Sequence, residues 1–192
     1  MKSRIKENIV LSGKYVLLKI FEIKDISRKY INGLNNNKVN KYLKVGKAQQ
    51  NYKKVKKYIQ NFLDSKKNFM FLIKNKKNNS MLGTATIRAV SKNSAYVGYM
   101  ISDVRYWGTQ YSYLPFKLII SFIFNKLKYK RIICTTLKKN IGVIIFLKKF
   151  GFEKTTNSIL FKKMGQKKKQ SSIYLLNKIN YKKHYEKKNL YT

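Results

Sequence analysis

Apolar residues recur along this chain with two periods, and each period predicts a different kind of element. Lys14 to Ile20, KYVLLKI, follows a glycine and is rich in β-branched and aromatic residues, so it reads as a strand. Asp25 can cap a short helix through Leu34, which the run Asn35 to Asn37 ends. Tyr52, Val55, Tyr58, Ile59, Phe62 and Leu63 are spaced for one face of a helix, with lysines on the other. Asn68 to Ile73 and Met81 to Val90 read as a hairpin with a loose polar loop, and Ala95 to Ile101 as a third strand of the meander. A glycine-containing turn, an apolar helix from Leu114 to Leu127 and a strand from Arg131 to Leu137 follow, an order that implies a parallel crossover. Asn140 can cap a further helix through Phe150, apolar on nearly every side and therefore expected to be buried, with Gly151 ending it. Phe152 to Met164 and Ser171 to Asn177 read as a closing hairpin around Gly165. The fold class expected is α/β, an α+β mixed sheet: one domain over residues 1–178 and a basic, loosely held tail over 179–192.

The turn between the last meander strand and the crossover helix is Asp103-Val-Arg-Tyr-Trp-Gly-Thr-Gln-Tyr-Ser-Tyr-Leu-Pro115. A helix starting straight after a strand presents unpaired backbone N–H groups and a positive dipole end. With Gly108 letting the backbone approach, the turn is suited to phosphate or pyrophosphate. Ser112 as N-cap would put Pro115 at the third helical position, where no hydrogen bond is lost.

Arg105-x-x-Gly108-x-Gln110 resembles the Gln/Arg-x-x-Gly-x-Gly/Ala signature of the GNAT acyltransferase superfamily. The wider stretch AYVGYMISDVRYWGTQYS is similar to the branch of ribosomal-protein N-terminal acetyltransferases and related small-molecule enzymes. Asn140 through Phe152 resembles that branch's second hallmark, an Asn followed by Gly-Phe, and YINGLNNNKVNKYLKVG its substrate-side helix pair. The resemblance runs from about residue 12 to residue 154. It implies a sheet that splays into a V between the strands at 95–101 and 131–137, with acetyl-coenzyme A as co-substrate and no metal. Cofactor contacts would come from Met100, Ile101, Arg105, Trp107, Gly108, Thr109, Gln110, Tyr111, Ser112 and Asn140.

Four positions depart from the family pattern. Gln110 stands at the second glycine, Tyr96 and Leu114 at two common glutamates, and Leu147 at the tyrosine that commonly protonates the leaving thiolate. Tyr96 and Tyr99 are the candidate proton relays, the catalytic residues being otherwise unassigned. The acids are only Glu7, Glu22, Asp25, Asp64, Asp103, Glu153 and Glu186, of which Glu22 and Asp25 border the substrate side. His184 lies in the tail, and Cys134 reads as an inert core thiol.

Composition adds a partner class. The net charge is +37, from 44 basic and seven acidic residues, and only five of the basic ones are arginines. Such a charge attracts nucleic acid or phosphorylated ligands, repels polycations and lowers the pKa of a bound ammonium. An AT-rich coding bias toward Lys, Asn, Ile and Tyr accounts for it equally. One cysteine excludes an internal disulfide and fits a reducing compartment. The N-terminus does not read as a signal peptide, and the apolar run from Leu114 is too short to span a bilayer. The expectation is a cytoplasmic N-acetyltransferase, monomer or homodimer. It would move acetyl to a primary amine of a small, acidic acceptor, such as a nucleotide-linked amino sugar, or of a protein N-terminus. The alternatives are a catalytically impaired coenzyme A binder and a basic RNA-binding protein, the latter resting on charge and on Tyr181-Lys-Lys-His-Tyr185.

Overall fold

The computed structural model describes residues 9–42 and 48–186, with side chains to Lys183. Glu7, the end of the substrate-side segment at 43–46, and the side chains of His184 and Glu186 lie outside the described residues. Eight strands form one mixed sheet in the order β1-β2-β3-β4-β5-β6-β8-β7. They are β1 (Val10–Ser12), β2 (Val16–Ile20), β3 (Phe69–Asn75), β4 (Met81–Ser91), β5 (Ser94–Ile101), β6 (Arg131–Leu137), β7 (Glu153–Thr155) and β8 (Ser171–Asn177). The helices are α1 (Arg28–Asn35), α2 (Asn37–Asn40), α3 (Tyr52–Asp64), α4 (Gln110–Ser121), α5 (Ile141–Lys149), α6 (Ser158–Lys163) and α7 (Lys178–Glu186). The meander and the crossover are as expected: β2, β3 and β4 pair antiparallel, while β5 and β6 pair parallel.

The chain divides into two compact units, residues 1–89 with 97–122 and residues 90–96 with 123–192. In the first, Val55, Ile59 and Phe62 from one face of α3 are buried with Phe21, Tyr30, Met70 and Leu72. The spacing of those three residues is what the helical period predicted, and Asn51 caps the helix by accepting from the Lys54 amide. In the second unit, Ile133, Phe161 and Ile173 form a smaller core, against which Val90 and Tyr96 pack.

Five expectations change. Ser27 rather than Asp25 caps α1, its hydroxyl accepting from the Tyr30 amide, because Asp25 closes a separate 3-10 turn. The cap of α4 is Thr109, whose hydroxyl accepts from the Tyr111 amide, so the helix starts earlier than a Ser112 cap would allow. Pro115 therefore sits inside the helix, where the carbonyl of Tyr111 loses its usual donor. The closing hairpin is interrupted by α6, because Asn157 caps a turn by accepting from the Leu160 amide and buries Phe161. Of the tail expected to be loose over 179–192, residues 179–186 belong to helix α7, with the Tyr181 ring packed 5.1 Å from that of Phe124. Finally, α5 is not engulfed: Leu147 is buried, but Ile141 and Ile145 are half exposed or more. All-round apolarity states what a helix can bury; how many neighbours it meets is set by the rest of the unit.

Candidate functional site

Three backbone choices build the turn after β5. Asp103 accepts from the Arg105 amide and opens a 3-10 turn over Val104–Tyr106. Gly108 takes a φ of +73°, a left-handed conformation that is cheap only for glycine. Thr109 then caps α4, its hydroxyl also donating to the Tyr106 carbonyl at 2.8 Å. The amides of Tyr111 and Ser112 are held by Thr109 itself, through its hydroxyl and carbonyl. The amides of Gly108 and Gln110 make no hydrogen bond among the described residues, and both lie at the positive end of a 12-residue helix. A Cβ on Gly108 would meet nothing within 4 Å, so the concavity is open. Two free amides beside an open left-handed glycine fit a diphosphate. Gln110 is an ordinary first helical residue and needs no positive φ there, which removes the main objection to glutamine at that position.

The other turn residues are more committed than the sequence implied. The indole of Trp107 donates to the Ile101 carbonyl at 2.9 Å, so that carbonyl is already satisfied. Arg105 forms a two-pronged ion pair with Asp103, at 2.6 Å for its closest contact. The Arg105 guanidinium, by hydrogen bond, holds the Asp103 carboxyl below the usual carboxylate range. The pair's contribution is complete above about pH 4 and is lost as the pH falls through that lowered value. Tyr106 and Tyr111 stack edge to face at 5.1 Å, and Tyr15 approaches Tyr111 at 6.1 Å. Sequence reasoning did not single out these rings as a support for the turn.

Of the two candidate relays, Tyr99 is unsuited. Its hydroxyl donates to the Ser112 carbonyl at 2.7 Å, and burial pushes its pKa well above the ordinary value. Tyr99→Phe is expected to lower stability by about 1 kcal/mol and the melting temperature by about 2–4 °C. Turnover should be nearly unchanged; a tenfold loss would restore Tyr99 to the chemistry. In the second unit, the Tyr96 hydroxyl lies 3.1 Å from the Thr135 hydroxyl, a pairing that spacing along the chain could not reveal. Asn140 caps α5 by accepting from the Val143 amide at 3.4 Å, leaving its Nδ2 without a partner among the described residues. Leu147 is buried. Burial also raises the Cys134 thiol pKa, so the folded protein should resist iodoacetamide at neutral pH and react only on unfolding. Fast labelling of the native state would contradict this.

Sequence reasoning missed Gly83. A Cβ there would lie 2.0 Å from the Met100 carbonyl oxygen and 2.9 Å from the Ile101 Cα. Strand β4 thus lets the end of β5 come abnormally close, and Ser102 locks it by donating its amide and hydroxyl to the Leu82 carbonyl. A lone glycine inside a strand was the available signal.

Among the described residues, no cluster of His, Cys, Asp or Glu could hold a metal ion. No described helix is long and apolar enough to cross a membrane.

A mixed sheet with a parallel crossover entered through a glycine turn, and free amides at the helix mouth, define an α/β domain of the acyltransferase type. The chain belongs to the acetyltransferase (GNAT) family, whose domain matches residues 16–153, and its activity class is acetyl-coenzyme A-dependent N-acetyl transfer. Solved structures share the fold. One is a nucleotide-linked sugar GNAT, FdhC, 20% identical with a TM-score of 0.72, covering 95% of this chain and 97% of its own. Spermidine N-acetyltransferase from Vibrio cholerae, solved with coenzyme A and spermine, is 12% identical with a TM-score of 0.72, covering 88% and 98%. The ribosomal L7/L12 alpha-N-protein acetyltransferase RimL, solved with coenzyme A, is 14% identical with a TM-score of 0.72, covering 88% and 98%. No curated protein sequence matches significantly.

Proposed function

We propose that this cytoplasmic N-acetyltransferase acts on the primary amine of a small acidic acceptor, of the kind a nucleotide-linked amino sugar represents. The observation that carries this reading is the state of the carboxylates. Among the described side chains, Glu22 and Asp25 are paired with Lys24 and Lys19 at 2.8 and 2.7 Å, and Asp103 with Arg105. Asp64 accepts from Gln60 and Glu153 from Asn180. A polyamine acceptor needs carboxylates to hold its second and third cations; among the described ones, Glu22, Asp25 and Asp103 would first have to give up the lysine or arginine each already holds, and only Asp64 and Glu153 carry no cation. The net charge of +37 disfavours a polycation further and draws in a phosphorylated acceptor. Among the structures that share the fold, the nucleotide-linked sugar GNAT is a precedent for an acidic acceptor.

In this reading the Gly108 and Gln110 amides hold the coenzyme diphosphate. Acetyl-coenzyme A supplies the activated acyl group. The chain's own task is to hold the amine and the thioester together and to keep the amine unprotonated. The surrounding positive field favours the neutral amine and so substitutes for a dedicated base. With Tyr99 committed and Leu147 apolar, Tyr96, whose hydroxyl pairs with that of Thr135, stays the candidate relay.

The test is thiol release from acetyl-coenzyme A in the presence of a nucleotide-linked amino sugar, spermidine, or a peptide with a free N-terminus. Release with the sugar is expected. Preference for spermidine would overturn the acidic acceptor, and absence of coenzyme binding by calorimetry would overturn the site itself.

A further inference from the structure

The second unit carries a groove that the acetyl-transfer reading does not use. Its volume is about 900 Å³, at the upper end for small-molecule sites. One wall is the β4–β5 turn and the starts of β5 and β6, with Ser91, Asn93, Ser94, Lys130 and Arg131. The other is the end of β8 and the first turns of α7, with Asn177, Lys178, Ile179, Asn180 and Lys182. Four of these are cations and none is a carboxylate; the acid nearest in bonding, Glu153, takes the Asn180 amide at 3.1 Å.

The walls are tied together by the backbone. The amides of Lys130 and Arg131 both donate to the Asn93 carbonyl, and the Lys178 amide donates to the Lys130 carbonyl at 3.1 Å. The Arg131 guanidinium also donates to the Asn177 side chain at 3.2 Å. These bonds fix the adjoining strand ends that carry the cations, which distinguishes them from the lysines scattered over the exposed helix faces. Ile179 is 68% exposed beside them and offers an apolar contact.

We propose that this groove binds the phosphodiester backbone of single-stranded nucleic acid, without reading sequence. Four cations, three asparagine side chains and two serine hydroxyls, with no carboxylate among them, suit a run of phosphates. A groove lined by cations is one that the backbone of a flexible single strand can follow. No aromatic ring lines the groove, and Tyr181 is taken up by packing on Phe124. Base stacking therefore contributes little, and binding rests on ionic contacts that salt weakens steeply. This inference is independent of the acetyl-transfer reading.

The test compares two triple variants of equal net charge in the full chain. One is Lys130→Ala, Lys178→Ala and Lys182→Ala; Arg131 is kept because it holds Asn177. The other is Lys53→Ala, Lys56→Ala and Lys57→Ala on exposed positions of α3. Affinity for a labelled oligouridylate is measured by anisotropy across a salt titration. Each phosphate contact contributes a slope of about −0.7, so the groove variant should lose about 2 in slope and on the order of 100-fold in affinity at ~0.1 M salt. The α3 variant should stay close to the parent. Equal losses in both would reduce the effect to bulk charge and overturn the site, as would a groove variant that binds like the parent. Displacement of the oligonucleotide by polyglutamate at equal charge would overturn nucleic acid as the ligand. Should the groove variant not fold, photocrosslinking of a thiouridine oligonucleotide to the parent protein decides: adducts at 91–94, 130–131 or 177–182 support the groove, and adducts elsewhere refute it.

Discussion

Gly108→Val is expected to raise the coenzyme A dissociation constant by about 100-fold or more while leaving a folded protein. The backbone at Gly108 has a φ of +73°, where an L-residue costs roughly 1–2 kcal/mol and a β-branched one more. An added Cβ meets no protein atom within 4 Å, so the strain falls on the backbone, and relieving it turns the free Gly108 and Gln110 amides. Each charge-assisted hydrogen bond to a diphosphate is worth about 1.5–3 kcal/mol, so turning these donors accounts for the loss. Calorimetry with coenzyme A reads the affinity, and a thermal melt checks the fold. Unchanged affinity would mean that the diphosphate is not held at this turn. Gln110→Gly serves as the control: as Gln110 has ordinary helical backbone, the variant should bind no more than a few-fold differently.

The second large effect is expected from Gly83→Ala. The three atoms a Cβ would meet are all backbone atoms of Met100 and Ile101, the closest at 2.0 Å, so no side chain can move aside. Either β4 and β5 part or the protein absorbs the clash at a cost of about 3 kcal/mol. For a chain of this size the melting temperature should fall by about 6–12 °C. If the strand end shifts instead, coenzyme affinity falls with stability nearly intact, because Ile101 and the turn it leads into are displaced together. A variant with both stability and affinity of the parent would contradict the close approach of the two strands.

The acidic-acceptor reading and the nucleic-acid groove draw on different parts of the same charge excess. The first uses the ion pairing of three of the five described carboxylates, which a polycation would have to displace. The second uses only those cations that line one groove at backbone-fixed strand ends. A composition drifting toward lysine produces charge everywhere, but only tertiary placement concentrates it.

What the sequence by itself determined is what depends on local spacing. The one-sided period of Val55, Ile59 and Phe62 specified α3, the order strand–turn–helix–strand specified the parallel crossover, and Gly108 marked the turn because no other residue enters the left-handed region cheaply. Membership of the acetyltransferase family was legible for the same reason, since its hallmarks are short segments whose backbone does the binding. The tertiary structure alone decided what depends on neighbours remote in the chain. It placed Thr109 rather than Ser112 at the cap, committed Tyr99 to the Ser112 carbonyl, brought Tyr96 to Thr135, and left Ile141 and Ile145 exposed. Hydrogen-bond competition and burial are set by whichever groups the fold brings within reach, and no periodicity in the chain encodes that choice.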